Sequence, residues 1–229
     1  AMIHLHVRDK DGRHLLDADA YREAMRKIRK AVGDRLVIQI TTEAVGIYGP
    51  AEQMAVVREV RPEAASFGLR ELAPDVGHEA EFAAFLEWLA KERIAPQIIL
   101  YTPEEAERLA GMMKRGLIPF EDLPVLYVLG RYTSGQQSAP SDLIPFISDG
   151  MPRFAHWMVC AFGGRETACV AAGALLGGHA RVGFENNLLL PDGSIAPDNA
   201  ALVAQTAATL KSLGCGIADA DRLRASWSL

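Results

Sequence analysis

The feature that most constrains this chain is a strict alternation of two periodicities. Seven short runs rich in β-branched and aromatic residues (2–8, 35–43, 64–69, 96–102, 125–131, 154–163 and 179–186) are separated by stretches with other patterns, several of them helical. DADAYREAMRKIRKAVG stops at Gly33, EAEFAAFLEWLAKERI follows the third run, and TPEEAERLAGMMKRGL opens with Thr102 as a cap and Pro103 in the first turn. Beyond the seventh run come NAALVAQTAATLKSLG and a short terminal helix, DADRLRASWSL. Strands joined by helices through short connections imply a parallel sheet covered by helices, and crossovers of one hand can close such a sheet. The open dinucleotide-binding alternative wants a glycine-rich first turn, and VRDKDGR is not one. The pattern therefore predicts an α/β chain of the (β/α)8 TIM-barrel class, with 1–229 as a single domain. Because the chain opens inside a strand and seven runs stand where a barrel has eight, an initial strand and helix are expected ahead of Ala1.

Composition enters by what it excludes. A net charge of −5, with no basic block, leaves no electrostatic footprint for nucleic acid. Nothing approaches the ~20 apolar residues of a membrane span, and the N-terminus has no signal-peptide pattern. Three cysteines, Cys160, Cys169 and Cys215, at unrelated spacings suit reduced packing residues better than disulfides or a thiolate zinc site, and point to the cytoplasm.

Catalytic groups in barrels of this class sit at the C-terminal ends of the strands. Side chains alternate along a strand, so His4, His6 and Arg8 share one face and Ile3, Leu5 and Val7 the other. On the seventh run the same parity groups His179, Arg181, Gly183 and Glu185, with Val182 and Phe184 turned to the helices. His4, His6 and Glu185 would then form a three-ligand site with an open position, the pattern of catalytic zinc, although iron(II) accepts the same donors. The plain alternative is a pair of hydrogen-bonded core histidines. Parity also points Gln39, Thr41 and Glu43 inward, and Ser66 closes a neighbouring strand. Such hydroxyls suit a substrate carboxylate, or simply form turns. Gly163, Gly164 and Arg165 precede a helix, as an anion site such as a phosphate cradle would, or as a glycine turn with a solvated arginine.

The segments IHLHVRD with DGR, QITT, PEAAS, VLYVLG and GGHARVGFENN with APDNAALV together resemble the β-keto acid cleavage enzyme family, founded on the 3-keto-5-aminohexanoate cleavage enzyme. The resemblance spans the chain. It implies a zinc-bearing barrel, a homodimer or homotetramer, that condenses a β-keto acid with acetyl-CoA to give acetoacetate and a new acyl-CoA. It further implies His4, His6 and Glu185 as zinc ligands and Arg181 as the arginine of RVGxE. Thr41 or Thr42, with Ser66, would hold the substrate carboxylate. Where the family has Glu-Asp-Asn this chain reads Glu185-Asn186-Asn187, and Pro96-Gln97 replaces Pro-Glu. An asparagine cannot accept a proton at neutral pH, so Glu43 is the expected base, its alternative role being a solvated cap of the turn before Pro50. A neutral or acidic substrate side group, met by Arg70 or Arg131, is the expected preference. The competing function is a catalytically silent metal- and ligand-binding barrel.

Overall fold

A computed structural model describes residues 1–227; Ser228 and Leu229, at the end of the expected terminal helix, lie outside the described residues. In chain order the elements are β1 (Met2–Leu5), β2 (Val7–Arg8), β3 (His14–Leu15), α1 (Ala18–Val32), β4 (Val37–Thr41), α2 (Pro50–Val60), β5 (Ala64–Gly68), α3 (Leu69–Leu72), α4 (Glu79–Glu92) and β6 (Ala95–Leu100). They continue with α5 (Pro103–Lys114), β7 (Val125–Leu129), α6 (Ile144–Ile147), β8 (Trp157–Ala161), α7 (Glu166–Leu175), β9 (His179–Ala180), α8 (Asn199–Ser212) and α9 (Ala220–Trp227). Among the described residues no helix is long and apolar enough to cross a membrane.

The chain divides into two compact units. The first comprises Ala1–Ile98, Gly111–Leu123 and the described residues from Ala218 onward. Its strands follow the order β1, β4, β5, β6, with β1 on β4 and β4 on β5 both parallel. Ile38, Ile40, Phe67, Phe82, Phe85, Leu86 and Leu89 are fully buried, yet Gln39, Thr41 and Ser66 are buried as well. Strands covered on both faces are what a parallel sheet requires, and the buried polar set is carried among those apolar neighbours. Trp227, Leu223 and Ala220 of α9 pack with Met2, Val37, Ala64 and Ala95 at the starts of the strands. The terminal helix thus closes the end of this unit opposite the histidines.

The second unit comprises Ile99–Ala110 and Pro124–Ile217. Here β7, β8 and β9 are parallel neighbours, and Ile99, Leu126, Val128, Cys160 and Phe162 form a core cluster.

Gly33 and Thr102 sit at helix ends where the sequence places them, and Asp17 adds a further cap. The Asp17 side chain accepts from Ala20 N at 2.8 Å, Gly33 ends α1, and Thr102 precedes α5.

Two expected strands are shorter than their alternation suggests. The first does not run to Arg8. It stops at Leu5, and Val7–Arg8 pairs antiparallel with His14–Leu15 instead. The cause is the turn between them, in which the Asp9 carboxylate accepts from Asp11 N at 2.8 Å and Arg13 N at 2.9 Å and folds a hairpin that leaves the parallel sheet. Arg8 is therefore exposed and bonds Gly12 O rather than sharing a face with His4. The seventh run forms only His179–Ala180, so strand parity does not position Glu185, and Phe184 is 37% exposed rather than packed against helices.

Candidate functional site

In the first unit the histidine at the end of β1 is held by the sheet register. His4 lies opposite Gln39, and Thr41 opposite Ser66. His4 Nδ1 meets Gln39 Oε1 at 2.8 Å, with Ser66 Oγ at 3.5 Å, and Gln39 Nε2 donates to Gln97 Oε1 at 3.3 Å. An amide oxygen accepts only, so this chain of contacts makes His4 Nδ1 the protonated nitrogen and leaves Nε2 as a lone pair. His4 Nε2 stands 3.1 Å from His6 Nε2. Two nitrogens ~2.0–2.1 Å from one tetrahedral zinc are about 3.3 Å apart, so the pair fits a shared ion.

On the far side of His6, its Nδ1 is 3.7 Å from Glu43 Oε2. His14, brought back by the hairpin, sets its ring 5.4 Å from that of His6. His6, His14 and Glu43 each offer a ligand atom within 4.8 Å of the others, a second donor set able to hold a cation. Both ring nitrogens of His14 are buried without a hydrogen-bond partner among the described residues, and burial, followed by the charge of His6, lowers its pKa against the pull of Glu43.

The two threonines differ. Thr42 is fully buried, and its hydroxyl lies 3.3 Å from the Gln53 amide and 3.4 Å from Ser66 O. Thr41 Oγ1 accepts from Glu43 N at 3.1 Å. Gln97 is buried with its Nε2 unpartnered among the described residues.

In the second unit Arg181 pairs with Glu185. Burial is the largest influence and opposes the charge of Arg181, but the Glu185 carboxylate, Cys160 and Tyr101 together raise the pKa. Arg181 Nη1 and Asn186 Oδ1 are buried without partners among the described residues. Gly163, at φ +89, has a left-handed backbone, and a Cβ there would stand 2.8 Å from Gln136 O. Its N–H donates to Asn186 O at 3.1 Å, Gly164 packs on Leu189, and Arg165 is exposed at the cap of α7. One N–H of the expected anion cradle is thus already engaged.

Two residues here escaped the sequence reading. His14 gave no signal beyond the DKDG turn that folds it back. Glu166, fully buried as the first residue of α7, accepts from Gly183 N at 3.1 Å and Asn187 Nδ2 at 3.2 Å. Burial pushes its pKa up to about 7, against the opposing pull of Asn187, Gly183 N–H and Asn186. Cys160 is inert, its thiol raised to about 12 by burial.

A parallel βα repeat with histidines and buried amides at one end of its strands defines an α/β chain of the barrel class. The solved structure of a type I 3-dehydroquinate dehydratase from Clostridium difficile shares this fold, with a TM-score of 0.54 over 86% of this chain and 77% of that one at 13% identity. The model of the beta-keto acid cleavage enzyme family matches residues 1–229, and the chain belongs to that family. It is 30% identical to a 3-keto-5-aminohexanoate cleavage enzyme of Fusobacterium nucleatum, across 100% of this chain and 84% of that protein. It is 27% identical to a 3-oxoadipate:acetyl-CoA acetyltransferase of Cupriavidus necator, across 98% of this chain and 79% of that protein.

Proposed function

We propose that this enzyme is a zinc-dependent acyltransferase that condenses a β-keto acid with acetyl-CoA and releases acetoacetate and a new acyl-CoA. The observation that carries the reading is the pair of His4 and His6 Nε2 atoms 3.1 Å apart, with the opposite nitrogen of His4 tied to Gln39. His4, His6 and Glu185 are the residues that would hold the ion. Bound zinc supplies Lewis acidity to a ketone oxygen and favours loss of a proton from the adjacent carbon. Relatives named for β-keto acid cleavage and for acetyl transfer from acetyl-CoA support the substrate pair.

The protein groups divide the remaining work. The hydroxyls of Ser66 and Thr41 line the face that would take the substrate carboxylate, and Thr42 Oγ1 holds the backbone behind them at Ser66 O. Gln97 Nε2 and Arg181 Nη1 are buried donors with no partner of their own among the described residues. A ligand oxygen would relieve the cost of each. Asn186 offers an acceptor through Oδ1 but no base. Proton removal falls to Glu43, held beside His6. Arg165, exposed at the start of α7, is the cation assigned to the phosphates of acetyl-CoA. A CoA thioester substrate and reduced cysteines agree with a cytoplasmic location, and the family resemblance is what suggests a homodimer or homotetramer.

Elemental analysis with an activity panel tests the reading. Wild-type protein should carry about one zinc per chain, and His4→Ala and Glu185→Gln should lose it together with acetoacetate production from β-keto acids and acetyl-CoA. Full metal content in either variant removes that ligand. A zinc-loaded wild type that turns over no β-keto acid favours the silent barrel.

A further inference from the structure

We propose that Glu166 is a positioning residue that sets Glu185 and Arg181 for ligand binding, by clamping both ends of the turn that carries Glu185. The inference rests on the zinc reading above, in which Glu185 is a ligand. Its starting point is that no strand delivers Glu185: β9 ends at Ala180, and Arg181 N to Val159 O, at 2.9 Å, prolongs its pairing by one hydrogen bond. From Gly183 the backbone turns on itself, with Asn186 N and Asn187 N both donating to Gly183 O at 2.9 and 3.2 Å. A turn exposed in this way has no sheet to hold it, and its orientation needs another anchor.

Glu166 supplies one. Its Oε1 accepts from Gly183 N at 3.1 Å, at the start of the turn, and its Oε2 accepts from Asn187 Nδ2 at 3.2 Å, at the end. The same Asn187 side chain donates to Leu189 O at 2.6 Å and accepts from Leu189 N at 2.9 Å, so the exit of the turn is fixed as well. Glu166 is itself packed in place. It is fully buried, its N–H donates to Gly163 O at 3.0 Å, and it opens a helix packed on β8, where a Cβ on Gly173 would meet Val159 at 2.8 Å. Glu185 lies between the two clamped points, and Arg181 is paired with it. Outer residues that orient ligands typically govern metal affinity by about 10–100-fold.

Only a carboxylate offers an acceptor on each side. Glu166→Gln keeps the shape but turns an NH2 group toward either Gly183 N–H or Asn187 Nδ2, donor against donor. Asn187→Ala removes one bond from the other side and serves should the first variant fold poorly. Zinc is titrated into metal-stripped protein, with thermal melting recorded in parallel. Both variants should bind zinc on the order of tenfold or more weaker than wild type. Val170→Ala, a buried cavity on the same helix, should lower Tm while leaving the zinc Kd within about twofold, a separation that loss of general stability cannot produce. Wild-type zinc affinity in Glu166→Gln and Asn187→Ala, with affinity lost in Glu185→Gln, overturns the inference and leaves the zinc reading intact. Wild-type affinity in Glu185→Gln overturns both.

Discussion

The protonation state of one nitrogen governs what the histidine pair can do. His4 donates from Nδ1 into Gln39, which passes the polarity on to Gln97, and the second nitrogen is thereby kept as a lone pair. Glu43 stands on the opposite side of the pair, 3.7 Å from His6 Nδ1 and beside His14. A carboxylate there has two distinguishable uses, proton acceptor or ligand of a cation shared with His14. The acceptor role predicts that Glu43→Gln lowers kcat by a factor of about 10²–10⁴, the usual scale of general-base catalysis, while zinc content stays at the wild-type value. Loss of zinc in that variant would make Glu43 a ligand. Parity made much of this neighbourhood legible in advance, since His4, Gln39, Thr41 and Ser66 obey the two-residue period and face one another through the register. His14 was not legible, because its approach to His6 depends on a hairpin set by a single aspartate side chain, which no periodicity reports.

At the scale of elements, long amphipathic helices were readable because their caps and stops are local chemistry, whereas strand ends were not. Val7–Arg8 left the sheet for a side-chain-directed turn, and the seventh strand ended where a distant glutamate captured its chain. The first is a local side-chain turn, and the second a tertiary contact overriding a local pattern. The clearest element-level bond lies at the opposite end of the first unit. Arg224 of α9 reaches both Glu63 oxygens, at 2.5 and 3.4 Å, and also donates to Asp34 O and Leu36 O. Glu63 immediately precedes β5, so this side chain ties the terminal helix to the strand starts that Trp227 and Leu223 cover. Arg224→Ala should destabilise the fold by about 1–3 kcal/mol in denaturant unfolding, the scale of charge-assisted hydrogen bonds to partly buried partners. It should leave zinc content unaltered, since it acts at the far end of the strands. A change in the unfolding midpoint too small to resolve would mean that α9 docks through its apolar face alone.

At the scale of the whole molecule, net charge opposes the substrate that the proposed function assigns. The chain carries −5, and the acyl-CoA of the proposed function is a polyanion, so under that proposal net charge does not supply long-range attraction between the two. Binding must rely on local cations. Arg165 is exposed at the cap of α7, next to the glycines and at the positive end of that helix, and its guanidinium suits a phosphate better than an ammonium would. The Gly163 N–H is already given to Asn186 O, which places more of the burden on the arginine. If the assignment holds, Arg165→Ala should raise KM for acetyl-CoA by roughly tenfold and leave KM for the keto acid near wild type, because one charged hydrogen bond is worth about 1.5–3 kcal/mol before solvent screening reduces it. Wild-type KM for acetyl-CoA should also rise with added salt, since an exposed guanidinium is screened over about 10 Å at 0.1 M ionic strength, and the Arg165→Ala enzyme should have lost most of that dependence. Steady-state kinetics against each substrate at several salt concentrations decides the matter. Equal KM values for acetyl-CoA in the two proteins, with the same salt slope, would move the phosphate contacts away from this helix.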